Sequence, residues 1–108
     1  MATDHLTIAV RGRRALARDE AERRELVRAL AKITANRLLL FCLVDDHLHA
    51  VLRSEQVGYL AAGVQRMLQA RRRDLKLEPN HLVLVDTRSY LRWLVSYVLK
   101  QPEKHGLG

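Results

Sequence analysis

Hydrophobic and polar residues follow two different periods along this chain, and each change of period marks the boundary of a predicted element. A period of two indicates strands, in which successive side chains point to opposite faces, whereas a period of 3.6 indicates helices. The predicted order is strand, helix, strand, strand, helix, strand, helix. These elements cover approximately residues 5–11, 20–35, 37–44, 47–53, 58–75, 81–85 and 87–101.

This order of elements defines the predicted fold class. The first six elements match a ferredoxin-like split βαβ unit, an α+β fold with one antiparallel sheet and helices on one of its faces. The last element is an extra C-terminal helix, free to cover the opposite face. No repeat or linker interrupts the chain, so residues 1–108 are predicted to form one domain. The strand at 37–44 is apolar after Arg37 and is predicted to be buried on both faces.

Local signals support several of these boundaries. Asp19 is a predicted helix N-cap, and Glu22 three residues later completes a capping box. Asp45 and Asp46 predict a tight turn, and therefore a hairpin between the second and third strands. Gly63 lies inside the second helix at a cost of about 1 kcal/mol relative to alanine, so a close backbone contact is expected there.

Composition places the chain among ordinary globular proteins. Hydrophobic residues make up 48% of the 108 residues, and no apolar run approaches the roughly 20 residues of a membrane span. The first ten residues lack the pattern of a signal peptide, and the single cysteine, Cys42, offers no internal disulfide. A cytoplasmic protein without a membrane partner is therefore expected, with Cys42 as a small buried residue.

The charge balance points to an anionic partner. Nineteen lysine and arginine residues stand against 12 aspartate and glutamate residues, a net charge of +7. Arginine makes planar, bidentate contacts with phosphate, so nucleic acid is the first candidate and an anionic membrane surface the second. A solvated basic surface is the third interpretation. The run Arg71-Arg72-Arg73 is predicted either to contact phosphate or to form the solvent-facing side of a helix.

Two histidines on one predicted strand are the most informative candidates for chemistry. His47 and His49 are two residues apart, so their imidazoles share one face while Leu48 points to the other. Two adjacent imidazoles supply half of a metal site. The alternative is that they are ordinary strand residues, as His5 and His81 are taken to be.

The predicted C-terminal helix carries a second set of candidates. Tyr97 and Gln101 are four residues apart and are therefore neighbours on a helix. If this helix covers the sheet face with His47 and His49, the Gln101 amide oxygen becomes a third metal ligand and Tyr97 can attack a phosphodiester. A metal-assisted tyrosine nucleophile is the functional interpretation. In the alternative, purely structural interpretation, Tyr97 is an aromatic residue at the edge of the core and Gln101 is a solvated amide.

Four segments of the chain resemble the HUH-type single-tyrosine transposases (HUH endonucleases), and in particular their REP-associated tyrosine transposase branch. In chain order they are similar to that family's opening strand, its histidine–hydrophobic–histidine strand, its second helix, and its tyrosine helix with the turn that follows. The segments are residues 5–14 (HLTIAVRGRR), 41–49 (FCLVDDHLH), 60–68 (LAAGVQRML) and 90–102 (YLRWLVSYVLKQP).

The resemblance implies a domain that cleaves single-stranded DNA, often beside a hairpin, and remains joined to the 5′ phosphate. By matched position, His47, His49 and Gln101 hold Mg²⁺ or Mn²⁺, and Tyr97 is the nucleophile. Two imidazoles by themselves favour Zn²⁺ or Ni²⁺, so the choice of ion comes from the family alone. Both a monomer and a homodimer are compatible with the family. The expected phosphate contacts are Arg11, Arg13, Arg14, Arg66, Arg73 and Lys100.

Departures from the family pattern keep other functions open. Asp46 and Gln101 stand where the family commonly has asparagine, and the segment 76–85 is short and lacks the usual aromatic residues. Base stacking contributes about 1–3 kcal/mol per base, so hairpin recognition is expected to be reduced. The alternative to an enzyme is a catalytically inactive or domesticated single-stranded nucleic-acid-binding module of the same fold. An RNA-binding ferredoxin-like domain is a third hypothesis, which requires strand aromatics beyond Phe41.

Overall fold

Two helices pack against one face of a four-stranded antiparallel sheet in the computed structural model, which describes residues 3–85, 92–93 and 96. The strands are β1 (Thr3–Ala9), β2 (Leu38–Val44), β3 (His47–Arg53) and β4 (His81–Leu84), and the helices are α1 (Glu20–Thr34) and α2 (Val57–Arg71). Short 3₁₀ turns at Arg11–Arg13 and Ala35–Arg37 follow β1 and α1.

The order of strands across the sheet confirms the predicted fold class. The order is β2-β3-β1-β4, and each neighbouring pair is antiparallel. The strands β1 and β2, which α1 connects, therefore run parallel with β3 between them, as in a split βαβ unit. The predicted C-terminal helix with Tyr97 lies outside the described residues, apart from Arg92, Trp93 and Ser96, which are helical.

One row of apolar side chains on β1 and β3 faces the helices. It consists of Leu6, Ile8, Leu48, Ala50 and Leu52, all buried in one cluster with apolar residues of α1 and α2. Burying one large aliphatic side chain contributes about 1.5–3 kcal/mol, and a slip of one residue would turn the whole row to the other face. The core therefore determines that His5, Thr7, His47 and His49 lie on the face opposite to the helices.

The start of α1 follows the prediction in part. Asp19 is the N-cap, and its carboxylate accepts a hydrogen bond from the Glu22 backbone N–H at 2.8 Å. The reciprocal half of the capping box is wrong, because the Glu22 carboxylate accepts from the backbone N–H of Arg18 instead, at 2.9 Å. The helix ends at Thr34, and the chain turns at Ala35, which has a φ of 52°.

Helix α2 ends earlier than the predicted boundary at Leu75. Its buried residues form one apolar stripe along the helix, and Leu75 is buried in the loop that follows. Both helices have 15 residues, and no helix in the described part of the chain is long and apolar enough to cross a membrane. The stripe consists of Leu60, Ala61, Val64 and Leu68.

Gly63 lies on the side of α2 that faces α1. Among the described residues, a Cβ at this position would meet only Cγ2 of Ile33, at 4.0 Å, which is ordinary van der Waals distance. The predicted close backbone contact is therefore wrong, and steric crowding does not explain this glycine.

Strand β2 lies at an edge of the sheet, which corrects the prediction that it is buried on both faces. Leu39 is 53% exposed and Phe41 is 36% exposed. The register with β3 shifts between Leu38 and Leu40, which marks a bulge. An apolar run does not distinguish a central strand from an edge strand, because strand order depends on contacts with distant segments.

Arg72, in the middle of the arginine run at the end of α2, is not on the solvent-facing side that the run was predicted to form. The side chain of Arg72 is only 2% exposed, whereas Arg71 and Arg73 are exposed. Because α2 ends at Arg71, Arg72 leaves the helical path, and its guanidinium donates hydrogen bonds to the carbonyl oxygens of Ala15 and Leu16. Arg72 therefore attaches the end of α2 to the loop that precedes α1.

Two carboxylates neutralise the charge of Arg72. Glu22 and Asp74 each place an oxygen 3.0 Å from a guanidinium nitrogen. The hydrogen bond from Arg72 is the main cause that lowers the pKa of Asp74 to about 2. The hydrogen bond from Arg18 is the main cause that lowers the pKa of Glu22. The network joins the start of α1, the preceding loop and the end of α2.

Replacing Arg72 by methionine is expected to lower the free energy of unfolding by about 3 kcal/mol, because each carbonyl left without its donor costs about 1–3 kcal/mol. The more exposed carboxylates contribute less, since solvent screens them. Arg71→Met, at the exposed neighbour, is the matched control and should change stability by less than about 0.5 kcal/mol. Urea unfolding followed by circular dichroism measures both variants. Equal stability of the two variants would contradict the structural role of Arg72.

Candidate functional site

Pairing of β1 with β3 brings three imidazoles together on the sheet face opposite to the helices. Thr7 pairs with His49, and His5 lies two residues before Thr7, on the same face. The predicted hairpin is confirmed: Asp45, with a φ of 29°, begins the turn between β2 and β3. We refer to His5, His47 and His49 as the imidazole cluster.

Asp46 determines which nitrogen of His47 carries the proton. The Nδ1 of His47 lies 2.8 Å from Oδ1 of Asp46. A carboxylate only accepts hydrogen bonds, so Nδ1 carries a proton, and in the neutral ring the lone pair is on Nε2. Pairs of a carboxylate and an imidazole are typical of histidines that bind metal ions through the second nitrogen.

His49 makes an equivalent contact with His5, which was predicted to be an ordinary strand residue. Its Nδ1 lies 2.9 Å from Nε2 of His5, and the two rings stack with their centroids 5.1 Å apart. The ring of His47 meets that of His49 at an interplanar angle of 88°, with the centroids 4.6 Å apart. No spacing rule could have found His5, because it is 44 residues from His49 and meets it only through strand pairing.

Burial favours the neutral form of two members of the imidazole cluster, His49 and His5. His49 is 5% exposed, and burial, followed by the proximity of His47 and His5, lowers its pKa to about 4. Burial, followed by the proximity of His81, also lowers the pKa of His5. A neutral imidazole is the form that binds a metal ion, so His49 needs no deprotonation at neutral pH.

The imidazoles of His47 and His49 fit a divalent metal ion as part of a ligand set. In each ring a neighbour contacts Nδ1, which makes Nε2 the nitrogen suited to coordination. Within the described residues, no group of three or more histidine, cysteine, aspartate or glutamate side chains could hold a metal. A complete site therefore needs another ligand. The predicted one, Gln101, lies outside the described residues, as does Tyr97.

The arginine-rich segment 11–14, which we call the arginine loop, lies beside the turn that precedes His47. The backbone N–H groups of Val10 and Leu16 donate to the two carbonyl oxygens of the Asp45–Asp46 turn, at 2.8 and 2.7 Å. These bonds hold the arginine loop at the end of the sheet where β3 begins. The arginine loop and the start of β3, with His47, therefore lie at the same end of the molecule.

Two side chains of the arginine loop make exposed ion pairs. Arg11 pairs with Glu78 at 3.2 Å, and Arg14 pairs with Asp74 at 3.1 Å. Each of these side chains is roughly half exposed, and exposed pairs contribute only about 0–1 kcal/mol. The two arginines could therefore leave these carboxylates for a phosphate oxygen at little cost in free energy.

The other predicted phosphate contacts are spread more widely. Arg66 is exposed on α2, and Arg73 is exposed in the segment that follows α2. Arg13 lies in the 3₁₀ turn of the arginine loop. Lys100 lies outside the described residues.

Comparison with known proteins identifies the class of fold. No protein-family model matches the sequence, and no curated protein matches it. Among solved structures, a REP-associated tyrosine transposase bound to a REP hairpin is similar over 99% of this chain and 70% of its own, with a TM-score of 0.76 and 18% sequence identity. A "putative transposase" of Deinococcus radiodurans is similar over 94% of this chain and 92% of its own, with a TM-score of 0.61 and 16% identity.

This chain therefore shares its fold with these two transposases. At sequence identities of 18% and 16%, structural similarity establishes the fold but does not assign functions to individual residues. The chemistry has to be argued from the imidazole cluster and the charges around it.

Proposed function

We propose that this protein is a metal-dependent tyrosine transposase that cleaves single-stranded DNA and transfers the cut strand. The pair His47 and His49 carries the proposal. Both Nδ1 atoms are held by neighbours, at 2.8 and 2.9 Å, on a fold shared with a tyrosine transposase. Such preorganised imidazoles are more typical of metal ligands than of ordinary polar strand residues.

Tyr97 is the proposed nucleophile. Its phenolic oxygen forms a bond to the phosphorus of the scissile phosphodiester while the bond from phosphorus to the 3′ oxygen breaks. The phenol loses its proton and the 3′ oxygen gains one, so the products are a 5′-phosphotyrosine and a free 3′ hydroxyl. Because a phosphodiester is retained in the intermediate, attack by a 3′ hydroxyl can rejoin the strand.

His47, His49 and Gln101 are the proposed ligands of the divalent ion. A bound Mg²⁺ or Mn²⁺ would neutralise charge on the phosphate oxygens. The two imidazoles hold fixed positions on β3, and the pKa of about 4 keeps His49 in its neutral form. Asp46 holds the ring of His47 from the Nδ1 side.

Single-stranded DNA with a nearby hairpin is the proposed partner. One structural neighbour is a transposase bound to a REP hairpin, and the net charge of +7 favours a polyanion. The arginine loop lies at the same end as His47, so Arg11 and Arg14 can contact the phosphates beside the scissile bond. The proposal assigns affinity chiefly to the arginines and chemistry to the imidazoles and the tyrosine.

Incubation of the protein with labelled single-stranded hairpin DNA and Mn²⁺ is expected to yield a covalent adduct that survives denaturing electrophoresis. A chelator should abolish the adduct, and the same sequence as a full duplex should yield none. Nuclease trimming and mass spectrometry should locate a 5′-linked nucleotide on a tyrosine. Tight DNA binding without an adduct in either Mg²⁺ or Mn²⁺ would contradict the enzyme and favour the inactive binding module.

A further inference from the structure

We propose that His5 is a positioning residue that sets the tautomer of His49, by accepting a hydrogen bond from Nδ1–H of His49. This inference rests on the proposed metal site and adds a residue outside its ligand set. Its basis is the 2.9 Å contact between Nδ1 of His49 and Nε2 of His5.

A neutral imidazole carries one proton, so this contact has two arrangements. If Nε2–H of His5 donates, His49 accepts at Nδ1 and must carry its own proton on Nε2, where it cannot coordinate a metal. If Nδ1–H of His49 donates, Nε2 of His49 holds the lone pair. Only the second arrangement makes His49 a ligand, and it requires that His5 be protonated at Nδ1.

The comparison with His47 explains why His5 has this influence. The acceptor of His47 is the carboxylate of Asp46, which cannot donate, so a neutral His47 has only one compatible tautomer, with the proton on Nδ1. The acceptor of His49 is an imidazole, which can either donate or accept. The tautomer of His5 therefore decides whether the second ligand of the pair is available.

The backbone holds this contact in place. In the register of β1 and β3, His5 pairs with Val51 and Thr7 pairs with His49, so the two rings project from adjacent strands on the same face. Both rings are buried, which strengthens a hydrogen bond and raises the cost of losing it. The Thr7 hydroxyl lies 3.4 Å from the same nitrogen of His5, which is long for a hydrogen bond.

The test compares two substitutions that differ in acceptor capacity. His5→Phe keeps a flat ring but removes the acceptor, whereas His5→Gln places an amide oxygen close to the position of Nε2. His81→Phe, at the exposed start of β4, is the control for the loss of a histidine that does not contact His49. Unfolding curves establish that each variant folds.

The first readout is the tautomer of His49 in the metal-free protein, from long-range ¹H–¹⁵N correlation spectra near neutral pH. We expect protonation at Nδ1 in the wild type and in His5→Gln, and a mixture of tautomers in His5→Phe. A wild-type His49 protonated at Nε2 would overturn the proposal without the use of any variant.

The second readout is Mn²⁺ affinity without DNA, measured by electron paramagnetic resonance. His5→Phe should bind Mn²⁺ about tenfold more weakly, as expected when a residue behind a ligand is lost, while His5→Gln and His81→Phe keep wild-type affinity. Unchanged affinity in His5→Phe, or equal loss in His5→Phe and His5→Gln, would overturn the role of His5 and leave the proposed function intact. Absence of Mn²⁺ binding by the wild type would overturn both.

Discussion

Tyr97→Phe is expected to abolish the covalent DNA adduct, with a loss of more than about 10³-fold in cleavage, because removal of a nucleophile eliminates the chemical step. Phenylalanine keeps the ring and lacks only the oxygen that is proposed to attack phosphorus, so DNA affinity should stay within about twofold, well under 1 kcal/mol. Quantitative gel assays at saturating protein separate the two effects.

Tyr59→Phe is the matched control for this substitution. Tyr59 lies near the start of α2 and is 79% exposed, and the proposed chemistry does not use it. Its variant should form the adduct at the wild-type rate. An adduct that persists in Tyr97→Phe would mean that another side chain attacks the phosphate, and peptide mapping of the adduct would identify it.

Alanine at His47 and His49 together is expected to reduce cleavage by more than about 10²-fold, because these are the proposed ligands of the ion that would neutralise the phosphate charge. Binding of single-stranded DNA should fall by less than about threefold, since phosphate contacts from arginine supply most of the affinity. Cleavage is measured from adduct formation in Mn²⁺, and binding from fluorescence anisotropy in a chelator.

Two further variants keep this experiment decisive. His47→Ala alone removes a partly exposed ring and leaves the buried His49 in place, which limits any loss of stability. His81→Ala removes a histidine outside the imidazole cluster and should leave cleavage unchanged. An equal loss of DNA binding and cleavage in the double variant would contradict the proposal that the imidazoles serve cleavage while the arginines supply DNA affinity.

Much of the secondary structure could be predicted because its signals are local. The Asp19 cap, the turn at Asp45–Asp46 and the buried stripe of α2 each depend on residues within about one or two helical turns along the chain. The common face of His47 and His49 follows from strand geometry in the same way.

The residues behind the candidate site could not be predicted, because they reach it from distant parts of the chain. His5 meets His49 across the pairing of β1 with β3. Arg72 is buried against carbonyl oxygens of a loop more than fifty residues away in sequence, although its run of three arginines suggested a solvent-facing or phosphate-binding surface. The exposed face of β2 likewise depends on its position at the edge of the sheet.

Local patterns in the amino-acid sequence were sufficient to predict the order of elements, the α+β fold class and the shared face of the two strand histidines, and composition gave the excess of positive charge. Contacts between distant segments of the folded chain place His5 beside these histidines, bury Arg72 and bring the arginine loop next to the hairpin turn. The physical reason is that local periodicity determines which side chains share a face of an element. Strand order, register and the path of the loops determine which faces meet.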